Sequence, residues 1–454
     1  MMVPSPQPYC GLTLLPASPV SENVPVSVRV GVVAGASDAI PVRADLYLDS
    51  EDDTGFVASW TPPGDAGLSM LFEHTLDTRG MAGSHRVIAA LSFAGAPPCR
   101  CEKPLQVVES RHRSTGRIDG AFVGFYHWSE QEGRLWNAEL ARMTDADWRD
   151  MMRAQHEIGM DIVVPQEAFR NQLYVGEHAI PQRGYDGRAF YPSHLHPGRM
   201  EIACGDPMEA VLGAADELGM AVFLPVGMYA WFDFTEHSLA WHREVARELW
   251  QRYGHHRSVY GFYVSEEVGG DLGSCAARRE EVVSFFAGFR AFVRGFAPDK
   301  PVMLATNCHS VSTALPWYPR LLSSLDILCP FGFQRMPPDD LTGEEAAALL
   351  QSLCDHAGCR LWMDLEAFSF HPDGALYPRP MADLVDAFRR YPMFEKVVCY
   401  QFPGLFSAPW ARIQPGGRDT VRLFEEYSAY LRSPQSGETY LAVAPEAAGQ
   451  RQPA

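Results

Sequence analysis

Lysine is almost missing: Lys103, Lys300 and Lys396 are the only three in 454 residues, so nearly all positive charge is arginine. No run of eighteen apolar residues occurs, which argues against a membrane-spanning helix, and Met1 to Pro25 lacks a basic segment followed by an apolar stretch. A soluble, cytoplasmic protein is the expectation. Cysteine is sparse at ten, and spacings such as Cys99/Cys101 and Cys354/Cys359 fit neither a zinc ribbon nor a compact disulfide framework. Reduced, mostly buried thiols and no metal are expected. Positive charge is in deficit, 38 Lys and Arg against 56 Asp and Glu, and a net charge of −18 opposes phosphate backbones and anionic lipid. Neither nucleic acid nor a membrane is therefore an expected partner. A Gly-rich phosphate loop and a dinucleotide fingerprint are also lacking.

What is present is a globular composition, 46% hydrophobic and 21% charged, long enough for two or three domains. From Val24 to Val32 every second residue is valine, and Val42, Ala44, Leu46 and Leu48 repeat that period, as half-buried strands do. Strand-like runs follow at His85–Phe93 and Pro104–Val108, with turn residues between them. Residues 1–110 therefore read as a small all-β sandwich, immunoglobulin-like in strand spacing and size, though without a Cys and Trp pin. It shows few aromatics on alternating strand positions, which suits a packing module or a homo-oligomer contact better than a glycan-binding one.

Residues 111–118 form a polar linker, and beyond them strands alternate with helices. Strand candidates begin near Gly120, Asp161, Ala221, Ser258, Pro301, Leu325, Arg360 and Lys396. Eight βα units is the count of a closed (β/α)8 TIM barrel, an α/β fold spanning 119–432. Helix punctuation agrees: Asp206 with Pro207 marks a start, Thr342 with Glu345 a capping box, and Gly159, Gly219, Gly254 and Gly358 stand at helix ends. Residues 433–454 turn to Pro, Ala, Gly and Gln and read as a disordered tail.

In such a barrel the chemistry sits at the C-terminal strand ends. Strand by strand these offer Tyr126-His127-Trp128, Gln166-Glu167, Tyr229 with Trp231, Ser265-Glu266-Glu267, Asn307, Gln334-Arg335, Asp364 with Glu366, and Tyr400-Gln401. Amides and carboxylates that bond hydroxyls in pairs, with aromatic faces that stack on sugar rings, suit a carbohydrate site. Tyr126, His127, Trp128, Gln166, Tyr229, Trp231, Asn307, Gln334, Asp364 and Gln401 are the candidate substrate contacts. Trp136, Trp317, Tyr318 and Trp410 are further candidate platforms. Strands four and seven face each other and both end in acids, and glycoside hydrolysis needs two opposed carboxyl groups.

Here the chain resembles the clan A glycoside hydrolases, and also poorly characterised glycoside hydrolase families that join a sandwich to a barrel. Tyr260-Gly-Phe-Tyr-Val-Ser-Glu-Glu267 is similar to their Gly-aromatic-x-x-x-Asn-Glu strand, and Trp362-Met-Asp-Leu-Glu366 to their nucleophile strand. The resemblance implies a retaining glycosidase with no cofactor, Glu267 as acid/base and Glu366 as nucleophile, acting on an oligo- or polysaccharide. Glu266 stands where the family has Asn, so it competes with Glu267 for the acid role. The alternatives are a carbohydrate-binding or scaffolding barrel without turnover, and a transglycosylase.

Carboxyl groups about 5–5.5 Å apart would mark retention, and about 6.5–9.5 Å inversion. A carboxylate turned out of the cleft, or engaged by arginine, would favour the binding protein. A Schiff-base mechanism is excluded because Lys300 and Lys396 begin strands five and eight, on the rim away from the chemistry. His194 and His196 have a metal-ligand spacing but lie in a loop after strand two, not at the end of strand one. The loop from Glu167 to Asp206, with Tyr174, Tyr185 and Tyr191, is long enough to carry substrate contacts.

Overall fold

The computed structural model describes residues 9–34, 40–62, 68–171, 187–196, 198–227 and 233–433. Tyr174, Tyr185, Tyr229, Trp231 and the proposed tail from residue 434 onward lie outside the described residues.

Eight strands build the N-terminal part: β1 (Tyr9–Leu15), β2 (Val20–Ser21), β3 (Val26–Val33), β4 (Ile40–Leu48), β5 (Phe56–Trp60), β6 (Ser69–Leu76), β7 (Gly83–Ala94) and β8 (Cys99–Val108). They form two sheets, ordered β1-β3-β6 and β2-β8-β7-β4-β5. Leu12, Leu14, Val26, Val28, Val30 and Val32 of the first sheet pack on Ala44, Leu46, Val87 and Leu105 of the second. The half-buried reading of the valine strand is corrected, since all eight residues of β3 are buried. Val26, Val28, Val30 and Val32 face the sandwich core, while Arg29 on the other face reaches Asp326 of the barrel. Val42 also departs from the expected period. The β4–β7 register shifts between Pro41 and Arg43, and Val42 is left exposed.

The eight barrel strands are β9 (Gly120–Val123), β10 (Ile162–Pro165), β14 (Ala221–Val226), β15 (Val259–Val268), β16 (Val302–Thr306), β17 (Ile327–Leu328), β18 (Arg360–Glu366) and β21 (Lys396–Tyr400). They close into one ring, every neighbouring pair parallel. Between them lie a small sheet of β11 (Phe169–Asn171), β12 (Gly187–Ala189) and β13 (Gly198–Arg199), and a hairpin of β19 (Phe368–Phe370) and β20 (Leu376–Pro378). Alternate residues divide between two cores. Phe122, Ile162, Val164, Phe223, Tyr263, Met303, Ile327, Trp362 and Val398 fill the ring, and Val163, Leu224, Phe262, Leu304, Leu361 and Val397 pack in the larger outer core.

Helix ends follow the local chemistry. Asp206 Oδ1 accepts the Glu209 N–H at 3.1 Å ahead of helix Pro207–Leu218, and Thr342 with Glu345 closes the capping box of helix Gly343–Ala357. Gly159, Gly219 and Gly358 are left-handed, with φ of 68°, 74° and 71°. Gly254 differs: at φ −62° it stays right-handed at the end of helix Glu236–Tyr253. Among the described residues no helix is long and apolar enough to cross a membrane.

The sandwich seals the barrel's N-terminal end. Leu15 and Ala17 join the barrel's inner core, and the Tyr260 hydroxyl donates to the Leu14 carbonyl at 2.9 Å. Lys300 and Lys396 lie on this rim, Lys300 beside Asp299 at 3.3 Å and Lys396 bonded to Asp119 at 2.9 Å.

Candidate active site

A cleft of about 270 Å³ opens at the C-terminal ends of the strands and takes its walls from seven of them or the segments that follow, Ala305 of β16 included. Phe122, Trp128 and Glu132 come from β9 and the segment after it, Gln166 follows β10, and Tyr263, Ser265 and Glu267 lie on β15. Arg335 comes after β17, Asp364 and Glu366 from β18, and Tyr400 from β21.

Register explains which acids enter. On β15, Tyr263, Ser265 and Glu267 alternate into the cleft, while Phe262, Val264 and Glu266 turn to the helix layer. Glu266 is fully buried there, 3.4 Å from His242 Nε2. The competing acid thus lies outside the cleft. Val264 pairs with Leu304 but Val268 with Thr306, so β15 spends four positions where β16 spends two, and this bulge carries Ser265 to Glu267. Gly227, at φ 146°, lies against it: a Cβ there would stand 2.7 Å from the Ser265 nitrogen. Neither the bulge nor Gly227 carries a sequence signal by itself.

On β18, Asp364 and Glu366 share the inward face with Trp362 below them. Arg335 Nε donates to Glu366 Oε1 at 2.7 Å from a guanidinium 48% exposed, and Arg379 Nη1 donates to the Glu366 carbonyl at 3.0 Å. Glu366 is therefore engaged by arginine through one oxygen. Oε2 has no hydrogen-bond partner among the described residues. Asp364 lies deeper. Burial pushes its carboxyl well above the usual range, with further upward pushes from Glu366 and Glu267, and Arg335 opposes them only in part. Burial also raises Glu132.

Three polar atoms of the cleft have no hydrogen-bond partner among the described residues: Gln166 Oε1, Ser265 Oγ and Asp364 Oδ1. Each is buried and would be costly to leave unbonded, so the cleft is built to receive a polar ligand or ordered water.

The other sequence candidates divide. Trp128 lines the cleft. His127 stands behind it, its Nε2 3.0 Å from the Tyr400 hydroxyl, and so orients a cleft residue. Four further candidate contacts lie outside the cleft wall. The Tyr126 hydroxyl donates to Glu130, and Asn307 Oδ1 accepts the Gly270 and His309 N–H groups, tying loops together. Gln334 is bonded by Arg379, and Gln401 is buried beside Gly124. Among the proposed platforms, Trp136 and Tyr318 are core, Trp317 lies under Arg279, and Trp410 is exposed with its indole N–H on Glu157. Phe331, Phe368, Phe370 and Tyr400 supply the aromatic wall instead, two of them from the β19–β20 hairpin, where Phe-Ser-Phe alternates directly after Glu366. Tyr191 is buried and donates to Glu248, away from the cleft. His196 is stacked between Phe169 and Trp241, and burial lowers it to about 4, whereas His194 is exposed.

Asp364→Asn should expose the cost of this buried acid. A folded-state pKa above the unfolded value of about 3.9 means stability falls as pH rises from that value through the folded pKa. The neutral amide escapes the loss. Asp364→Asn should therefore melt higher than wild type at pH 7 and converge with it near pH 4, and a uniform deficit across pH in thermal melts would refute the assignment.

A family model described as a domain of unknown function, DUF4434, matches residues 118–412. The chain belongs to the DUF4434 family. No curated protein matches it. Among solved structures, this DUF4434 chain is similar to a "putative alpha-L-fucosidase" from Bacteroides thetaiotaomicron, at 17% identity and a TM-score of 0.52, over 69% of this chain and 92% of that one. It is also similar to a beta-glucuronidase from Bacteroides uniformis, at 14% identity and a TM-score of 0.39, over 93% of this chain and 50% of that one. The DUF4434 chain thus spans half the length of that second protein, and the likeness to the first bears on fold alone.

Proposed function

We propose that this DUF4434 protein is a retaining glycosidase in which Glu366 attacks the anomeric carbon and Glu267 protonates the leaving oxygen, then activates water. The observation that carries the reading is the cleft itself: both carboxylates line one cavity whose buried Gln166, Ser265 and Asp364 atoms lack partners among the described residues. Hydroxyl groups of a sugar suit those atoms, and the aromatic wall suits its C–H faces. Arg335 fits the nucleophile role by orienting Glu366 through Oε1 while Oε2 stays open.

The substrate follows from charge. Among the described residues Arg335 is the one cation lining the cleft, and Glu366 already engages it, so the carboxylate of a uronate would find no free partner there. A neutral or amino sugar fits this cleft and a uronate does not. A panel of aryl glycosides of both anomers should show turnover on a neutral or amino sugar and at least about tenfold lower kcat/KM on the matching glucuronide; an equal or faster glucuronide overturns the charge argument. NMR of the first product should show the substrate's own anomer.

The same Arg335 contact favours a second reading, a carbohydrate-binding barrel without turnover, because it occupies one oxygen of the proposed nucleophile. Calorimetric binding of oligosaccharides with no hydrolysis of any panel member would establish it. Product analysis at high acceptor concentration separates hydrolysis from transglycosylation.

A further inference from the structure

Three thiols with no part in the barrel's chemistry converge in the sandwich. Cys10 lies on β1, and Cys99 and Cys101 lie on β8, two positions apart and so on one side of that strand. β1 belongs to the three-stranded sheet and β8 to the five-stranded one, so the group bridges both layers. All three are free and half-buried, their sulfur atoms lie within 4.8 Å of one another, and Cys10 Sγ stands 3.4 Å from Cys101 Sγ.

A zinc–sulfur bond of about 2.3 Å places the sulfurs of a tetrahedral site roughly 3.8 Å apart. The 3.4 Å between Cys10 and Cys101 and the 4.8 Å limit on the other pairs are compatible with that value, so small side-chain rotations would complete the geometry. Thiolate donors select soft ions, and water can fill a fourth position. The spacing in sequence hid the group, because Cys10 and Cys101 are 91 residues apart.

We propose that Cys10, Cys99 and Cys101 form a binding site for a thiophilic divalent ion of the zinc(II) kind, which clamps the two sheets of the sandwich together. Binding makes three metal–sulfur bonds and releases the thiol protons to solvent, without change of oxidation state. It is independent of the chemistry in the barrel.

The test uses the full chain, reduced and stripped with a chelator, then titrated with cadmium chloride and, separately, with zinc chloride. One cadmium ion per chain should produce a thiolate-to-metal absorption band, and zinc should raise the melting temperature. Cys101→Ser and Cys99→Ser should weaken binding by roughly 100-fold or more and lose the zinc-dependent stabilisation, while Cys275→Ser, which removes an exposed thiol outside the group, should leave both unchanged. Metal-free melts of the variants report whether they fold. Absence of the band in folded wild type, a band that survives Cys99→Ser and Cys101→Ser, or a Cys10–Cys101 disulfide mapped in the protein as isolated, before reduction, would each overturn the site.

Discussion

Glu366→Ala should lose about ten-thousand-fold in kcat or more on any glycoside that the wild type cleaves, and sodium azide should restore part of it. The reason is chemical. Without the side-chain carboxylate no covalent glycosyl intermediate forms, but the space it leaves admits a small anion that attacks the anomeric carbon and expels the aglycone. The glycosyl azide so formed should carry the anomer opposite to the substrate's. Glu267→Ala separates the second role: substrates with a strongly acidic leaving group should retain their first step, and azide there should give the substrate's own anomer, since Glu366 still forms the intermediate. Glu266→Gln should leave both steps in place, because that carboxyl faces His242 in the helix layer. If Glu366→Ala retains more than a few per cent of wild-type turnover without azide, as a rough threshold, Glu366 is not the nucleophile. If wild type binds sugars yet cleaves none, the Arg335 contact marks a binding site.

Arg29→Ala should destabilise the protein by about 3 kcal/mol, through a contact far from the cleft. Arg29 Nη1 lies 2.8 Å from Asp326 Oδ1, the two side chains 7% and 2% exposed, and Arg29 Nε reaches Glu73 at 3.1 Å. Removing the guanidinium leaves a buried carboxylate with Arg290, at 2.9 Å, and the Val302 N–H, which keeps the loss at the lower end for a broken buried pair. Burial alone would raise the Asp326 carboxyl, but Arg29 and Arg290 hold it below the usual range. A folded-state pKa below the unfolded value of about 3.9 contributes stability that is present above that pH and lost as pH falls through the folded pKa. The deficit of Arg29→Ala should therefore be full at neutral pH and shrink under acid. Unfolding free energies of the two proteins, from denaturant titrations, within about 0.5 kcal/mol at pH 7 would show that the contact does not bind the sandwich to the barrel.

The barrel was legible because each strand is a short apolar run, bounded by turn residues and followed by a helical period, and all eight start within two residues of where those runs begin. Glu366 and Gln166 were legible as polar residues at the ends of such runs. β1, β5 and β6 were not. β1 is covered on one side by the sandwich core and on the other by the barrel, so its burial does not alternate and it lacks the signature of a half-exposed strand. The readings of Asn307, Gln334 and Gln401 as substrate contacts show a different limit: a polar residue at a strand end serves loop closure as readily as ligand binding.

Local pattern by itself thus determined the fold class, the rim that carries the site and the pair of acidic strands, because apolar periodicity and helix caps act over a few residues. Tertiary structure decided the rest. The bulge in β15 and the close approach of Gly227 turn Glu267 inward and leave Glu266 outward. Arg335 meets Glu366 across 31 positions, and Cys10 meets Cys101 across 91. Such choices depend on register and on contacts between distant segments, which exist only once the ring has closed and the sandwich has docked.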